Sequence, residues 1–185
     1  KPEDIPAPDV LLITHEHSDH YSPEVIAAIT RLKKPEIITH ARIAGLLKEK
    51  NMVSRMIKPG ETTKTASFAI QALEAPHGEL IVPKPENIGF LINNKVFHPG
   101  DSLKFALGTG LEILLLPVSA PWHTLKEAFE KALEVKPKIV IPIHDAIVKD
   151  FMLVRIYNQL EKKLGENGIH FKPLGLGESL EIKTA

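Results

Sequence analysis

The sequence has no cysteine among its 185 residues. Disulfides, thiol nucleophiles and thiolate metal ligands are therefore excluded together. The chain also has no apolar run near the roughly 20 residues that span a bilayer, and no charged-then-apolar leader opens it. We therefore expect a cytoplasmic protein that makes no contact with membranes.

The sequence lacks an excess of either charge. Lys plus Arg and Asp plus Glu each number 23, so the formal net charge is zero. Such a balance gives no general attraction to nucleic acid, and we expect no nucleic-acid partner. Hydrophobic residues make up 43% of the composition, which is enough for one core, and the length predicts a single domain over residues 1–185.

The most informative stretch is Thr14 to His20, which reads THEHSDH. It follows the apolar run Val10 to Ile13 and precedes Ser22-Pro23-Glu24, so it connects a predicted strand to a predicted helix. By chance such a pattern would arise on the order of once in a thousand chains of this composition. A metal site is therefore favoured over a histidine-rich surface loop.

The spacing within this stretch favours two adjacent metal sites. His15 and His17 would point to the same side if the strand pleat continues. Asp19 and His20 follow where the chain turns and can present a second cluster. Imidazole and carboxylate groups suit borderline or hard divalent metals.

Three further polar residues close other apolar runs: His77, Asp101 and His144. In layered α/β proteins the carboxyl ends of strands meet at one edge, where sites are built on loops above a rigid scaffold. Potential metal ligands at several separate strand ends are stronger evidence for a shared metal site than any one motif.

Hydrophobic periodicity predicts an α/β chain with added antiparallel strands. Three prolines within residues 1–8 predict an extended lead-in. The predicted helices cover about 22–32, 41–50, 124–135 and 146–164. The predicted strands cover 9–14, 36–40, 56–58, 66–77, 87–92, 95–98, 111–118, 138–143, 170–173 and 179–182, with turns at Pro59-Gly60 and Asn93-Asn94.

The motif H-x-H-x-D-H, followed in order by His77, Asp101 and His144, resembles the signature of the metallo-β-lactamase fold superfamily. Residues 118–122 and 142–145 are similar to small bacterial metal-dependent hydrolases of the ascorbate-6-phosphate lactonase-like group. The resemblance implies an α/β (α+β) fold, a four-layer αββα sandwich. In that family several strands precede the motif, so we expect an N-terminally incomplete domain, an uncovered sheet edge and a possible homo-oligomer.

The resemblance also implies a set of site residues. The first metal would be held by His15, His17 and His77, the second by Asp19, His20 and His144, with Asp101 as the bridge. Asp19, His20 and Asp101 are assigned to catalysis as well.

Three other residues are weaker candidates. Trp122 and His123 follow a strand end and could contact the substrate, although for Trp122 a core position at a helix start is slightly favoured. His98 could orient a ligand from outside the metal's coordination sphere, or serve only a structural role. Specificity is expected to lie in loops 78–87 and 120–123.

The predicted function is a dinuclear metal-dependent hydrolase. A metal-bridging hydroxide would attack an ester, lactone, phosphodiester or amide of a small molecule. Two divalent ions are expected, zinc first, although manganese, iron or nickel accept similar ligands. His17 favours hydrolysis, because relatives of this fold with di-iron redox chemistry commonly have the motif H-x-E-x-D, with glutamate where this sequence has His17.

Two alternatives remain open. An RNA or cyclic-nucleotide phosphodiesterase would need a basic groove or an added nucleic-acid domain. A non-catalytic metal-binding or oligomerising scaffold would keep the ligands without turnover.

Overall fold

The computed structural model describes residues 8–182, so nearly all of the predicted lead-in lies outside the described residues. Four helices are formed in this part of the chain: α1 (Pro23–Leu32), α2 (Ala41–Glu49), α3 (Leu125–Val135) and α4 (Asp150–Gly165). The strands are β1 (Val10–Ile13), β2 (Glu36–Thr39), β3 (Arg55–Met56), β4 (Thr62–Lys64), β5 (Ala69–Glu74), β6 (Ile88–Ile92), β7 (Val96–His98), β8 (Ile113–Pro117), β9 (Ile139–Ile143) and β10 (His170–Phe171).

The chain divides into two compact units, residues 1–106 and 107–185. The interpretation as a single domain stays a prediction. Among residues 8–182, no helix combines the length and apolar composition that crossing a bilayer requires.

A parallel sheet of order β1-β2-β3 organises the first unit. Successive side chains of a strand point to opposite faces, so the apolar runs of β1 and β2 cover both sides of this sheet. Ile13 and Ile37 join Ile26 of α1 and Ile43 of α2 in one buried cluster. The helices therefore cover one face of the sheet.

The other face packs on four antiparallel strands in the order β7-β6-β5-β4. Ile38 of β2 is 0% exposed there, among Ile70 of β5 and Phe90 of β6. The turn between β6 and β7 has positive φ at both Asn93 and Asn94, which is the conformation of a tight type I′ turn. That predicted hairpin is confirmed.

The second unit contains the parallel strands β8, β9 and β10, with β9 paired to both others. Helix α3 contacts β8, and α4 contacts β10. Thr124 and Glu127 form the predicted capping box at the start of α3.

Local interactions changed three predicted elements. Arg55–Met56 pairs in parallel with β2, so the antiparallel partner of β5 is β4 and not residues 56–58. Helix α4 begins at Asp150 and not at 146, because a turn closed by Val148 N–H to Asp145 O precedes it. Residues 179–182 form no strand.

The fold makes a prediction about stability. Replacing Ile38 with alanine leaves a cavity between the two sheets of the first unit, and we expect it to lower the free energy of unfolding by about 2 to 5 kcal/mol. Val53→Ala is the control, because Val53 is 90% exposed, and it should change stability by less than about 0.5 kcal/mol. Urea titrations followed by circular dichroism would measure both, and equal values would contradict the assigned core.

Candidate metal centre

Four side chains of the first unit converge at the ends of their strands. His15, His17, His77 and Asp101 each offer one ligand atom, and these atoms all lie within 4.8 Å of one another. His15 and Asp101 are 0% exposed and His77 is 1% exposed. The sequence prediction that His77 and Asp101 join the first two histidines agrees with this placement.

The separations fit a small cation. His15 Nε2 is 3.2 Å from His17 Nδ1 and 3.5 Å from Asp101 Oδ2, and His77 Nε2 is 3.4 Å from the same oxygen. Tetrahedral zinc with bonds near 2.0 to 2.1 Å separates its ligand atoms by about 3.3 Å. These three separations and the chemistry of the donors therefore match a metal of that size.

Hydrogen bonds fix two of the imidazoles with one nitrogen directed to the cluster. His77 Nδ1 donates to the carbonyl of Gly78 at 2.8 Å, which leaves Nε2 of that ring for the cluster. His15 Nδ1 lies 3.0 Å from Thr14 Oγ1, which leaves Nε2 of that ring for the cluster as well. Such contacts set tautomer and ring orientation before a metal binds.

Asp101 presents its two oxygens to two different groups. Oδ2 faces His15 and His77, whereas Oδ1 lies 3.0 Å from His20 Nε2. The same nitrogen of His20 is 3.5 Å from Asp19 Oδ2. A second group of possible ligands thus begins at the other oxygen of the buried carboxylate.

Burial favours the neutral form of His15 and His17. Desolvation lowers the pKa of His15, and the nearby His20 and His17 add to this effect, while Asp101 opposes it. Desolvation also lowers the pKa of His17, with a further contribution from His77. Neutral rings are the form that binds metal.

His98 lies beside the cluster in a structural contact. Its Nδ1 accepts a hydrogen bond from Gly100 N–H at 3.0 Å, so the neutral ring supports the turn that carries Asp101. Burial, with a smaller contribution from the neighbouring His20, lowers the pKa of His98 to about 4. The predicted role of orienting a ligand without binding metal itself is compatible with this contact.

The second unit carries the remaining candidates. His144 follows β9 with a left-handed φ of 58°, and its Nδ1 donates to Ser119 O. The ring of Trp122 meets the His144 ring edge-on, with centroids 5.4 Å apart. His123 Nδ1 lies 3.2 Å from Thr124 O. That His144 binds the second metal, and that Trp122 and His123 contact substrate, stay predictions.

The residue after His144 is also held in place. Tyr157 of α4 donates a hydrogen bond to Asp145 Oδ2. Burial and this contact with a carboxylate raise the pKa of the Tyr157 hydroxyl. The bond ties the turn after β9 to α4.

Sequence reasoning missed two polar residues near the cluster. Asn87 is 6% exposed and Ser102 is 0% exposed, and both bond to main-chain groups next to the ligands. A polar residue directly before a buried strand was the available signal for Asn87, because a buried amide needs partners.

The depressed pKa of His98 predicts acid sensitivity of the metal-free protein. Between pH 6.5, its ordinary pKa, and about 4, the unfolded chain binds a proton there that the folded chain does not. Stability should therefore fall as the pH falls through this range, by up to on the order of 3 kcal/mol from this residue. His15 and His17 shift in the same direction.

Urea titrations of chelator-treated protein at about pH 7 and about pH 4.5 would measure this loss. His98→Asn keeps an acceptor for Gly100 N–H and should reduce the difference between the two pH values. His170→Asn is the control, since His170 is exposed, and should leave the difference unchanged. Equal differences in all three proteins would exclude His98 as the cause.

Comparison with known proteins places the chain in a family. The model of the Beta-lactamase superfamily domain matches residues 1–144. Protein Rv0786c of Mycobacterium tuberculosis is 30% identical over 159 residues, which is 79% of this chain and 71% of that protein. The UPF0173 metal-dependent hydrolase Ta0764 of Thermoplasma acidophilum is 30% identical over 155 residues, 78% of this chain and 68% of that protein.

A solved structure supports the fold. Igni18, a metallo hydrolase from the hyperthermophilic archaeon Ignicoccus hospitalis, is 21% identical with a TM-score of 0.72, and the match covers 96% of this chain and 81% of Igni18. The mixed α/β fold of metallo-β-lactamase type predicted from the motif order is therefore confirmed. Together with the converging histidines and Asp101, these matches show that the chain belongs to the UPF0173 metal-dependent hydrolases of the β-lactamase superfamily.

Proposed function

We propose that this protein is a dinuclear hydrolase that cleaves an ester, lactone, phosphodiester or amide bond in a small molecule. The first metal would be held by His15, His17 and His77. The second would be held by Asp19, His20 and His144, with Asp101 shared between the two.

The observation that carries the proposal is the position of the Asp101 carboxylate. Its Oδ2 faces His15 and His77 at 3.5 and 3.4 Å, and its Oδ1 faces His20 at 3.0 Å. A carboxylate that turns one oxygen to each of two groups of metal-binding side chains has the geometry of a bridge. In a site for one ion, Oδ2 alone would face the metal and Oδ1 would only pair with His20.

Two divalent ions bound here would lower the pKa of a water toward neutrality and stabilise the oxygen charge that develops during hydrolysis. The protein would set the orientation and protonation of the ligands. The bonds from His15 to Thr14 and from His77 to Gly78 hold the rings in one orientation. The depressed pKa of His15 keeps that ring available to a metal at neutral pH.

Zinc is the metal that this donor set favours. Three imidazoles and one carboxylate oxygen would hold the first ion, and this is a donor set that zinc accepts. Manganese, iron and nickel accept the same donors in other geometries. Metal analysis of the purified protein distinguishes these cases.

The loop that follows His77 supports a small substrate without high negative charge. It exposes the apolar side chains of Ile81 (105%) and Val82 (58%). One of its two acidic residues, Glu79, lies 2.7 Å from Lys84 and 3.5 Å from Lys104, and the bond to Lys84 lowers the pKa of Glu79. Because residues 78–87 carry two acids and one lysine, the loop lacks the basic surface that RNA binding needs and favours a small molecule.

The function can be tested by metal content and turnover together. We expect the purified chain to bind two equivalents of Zn²⁺ and to hydrolyse at least one compound in a panel of esters, lactones, phosphodiesters and amides. Asp101→Asn should reduce the bound metal and lower the rate by on the order of 1000-fold, because metal-assisted charge stabilisation contributes several kcal/mol. Inductively coupled plasma mass spectrometry and initial rates are the measurements.

Asp9→Asn is the matched control. Asp9 precedes the same strand that His15 follows, and its carboxylate pairs with Lys33 at the surface, so metal content and rate should stay at the level of the unaltered chain. Full metal content and full rate in Asp101→Asn would refute the bridging role. Two bound metals without turnover on any compound would favour the scaffold, and turnover confined to RNA or cyclic nucleotides would favour the phosphodiesterase.

A further inference from the structure

Asn87 lies where two strands that carry metal ligands end. It directly precedes β6, which lies between β5 and β7 and runs antiparallel to both. The amino end of β6 therefore adjoins the carboxyl ends of its two neighbours. His77 follows β5 and Asp101 follows β7, so Asn87 stands between the two ligand-bearing loops.

The side chain of Asn87 makes three hydrogen bonds to these loops. Nδ2 donates to the carbonyls of Ala75 and of Pro99, the second at 2.9 Å. Oδ1 accepts from the N–H of Asp101 at 3.3 Å. Ala75 and Pro99 each lie two residues before a ligand, so one amide joins both loops by three bonds.

Only an amide can make this set of bonds at this position. A primary amide has two N–H donors and one acceptor oxygen, whereas an ionised carboxylate accepts only. The site offers two carbonyls and one N–H, and Asn87 is 6% exposed, so water has little access to replace a lost bond.

The chain at Gly100 is shaped around the same amide. Gly100 has φ of 60°, and a Cβ there would lie 2.1 Å from Asn87 Oδ1. A side chain at position 100 would therefore displace the amide. The turn before Asp101 thus depends on a glycine that lets the main chain approach Asn87.

A second set of hydrogen bonds joins the same two loops. Ser102 Oγ donates to Pro76 O at 2.7 Å, and Gly78 N–H donates to Asp101 O at 3.4 Å. These bonds link the two sequence neighbours of His77 to Ser102 and to Asp101 itself. The loops that carry His77 and Asp101 are therefore joined by two sets of hydrogen bonds.

We propose that Asn87 is a positioning residue that fixes the separation of His77 and Asp101 and thereby sets the affinity of the first metal site. Ser102 assists it. The proposal rests on metal binding by the proposed function, but not on its substrate or on the presence of a second ion.

The test uses Asn87→Asp, which keeps the shape and removes both donors. Zn²⁺ affinity would be measured by competition with a chromogenic chelator, and the geometry by the visible absorption of the Co²⁺-loaded protein. We expect the affinity of the first ion to fall by about 10 to 100-fold, the range known for residues that orient metal ligands, with a changed Co²⁺ spectrum.

Two controls separate positioning from general stability. Asn93→Asp alters the same residue type at the other end of β6, where Oδ1 accepts from Ala69 N–H, a bond that aspartate keeps. Ile38→Ala destabilises the core of the same unit without touching either loop. Both should bind Zn²⁺ as the unaltered chain does and give its Co²⁺ spectrum.

Each outcome decides the proposal. Unchanged Zn²⁺ affinity in Asn87→Asp would overturn it, as would an equal loss of affinity in Ile38→Ala. If Asn87→Asp does not fold, Ser102→Ala takes its place, with an expected loss of about 10-fold and with no loss as the refuting result. An unaltered chain that binds no Zn²⁺ would refute the metal centre itself and not only the role of Asn87.

Discussion

The buried carboxylate of Asp101 is the constraint on which the rest of the first unit depends. It is 0% exposed and lies within 3.5 Å of ring nitrogens from His15, His20 and His77. A carboxylate is costly to bury unless positive charge or hydrogen bonds compensate it. Burial lowers the pKa of His15, so that ring favours the neutral form, and a divalent cation is the compensating charge that suits both groups.

The residues around Asp101 come from the strand ends of both sheets of the first unit. The parallel strand β1 delivers His15 and His17, while the antiparallel strands β5 and β7 deliver His77 and Asp101. Strand β6 runs against its neighbours, so it adds no ligand at this edge and begins there instead. Asn87, the residue directly before β6, therefore lies beside the two loops and bonds to both of them.

The sequence was sufficient where the signal is local. The histidine motif, the capping box of Thr124 and Glu127 and the Asn93-Asn94 turn each follow from neighbouring residues. The pairing of β3 with β2 does not, since Arg55–Met56 is a short exposed strand whose partner is chosen by tertiary packing. The role of Asn87 likewise depends on which strands flank β6, and no spacing within the sequence specifies that.

His144, the metal ligand proposed from the second unit, is held by several local contacts. Its Nδ1 is occupied by Ser119 O, Trp122 packs edge-on against its ring, and its backbone adopts a left-handed φ of 58°. Such a conformation is strained for a residue with a side chain and persists only when its surroundings enforce it. Trp122 was predicted as a substrate contact or a core residue, yet its observed contact restricts the motion of His144. A ring restricted in this way loses less conformational entropy on binding a metal, so preorganisation would favour ligation through Nε2.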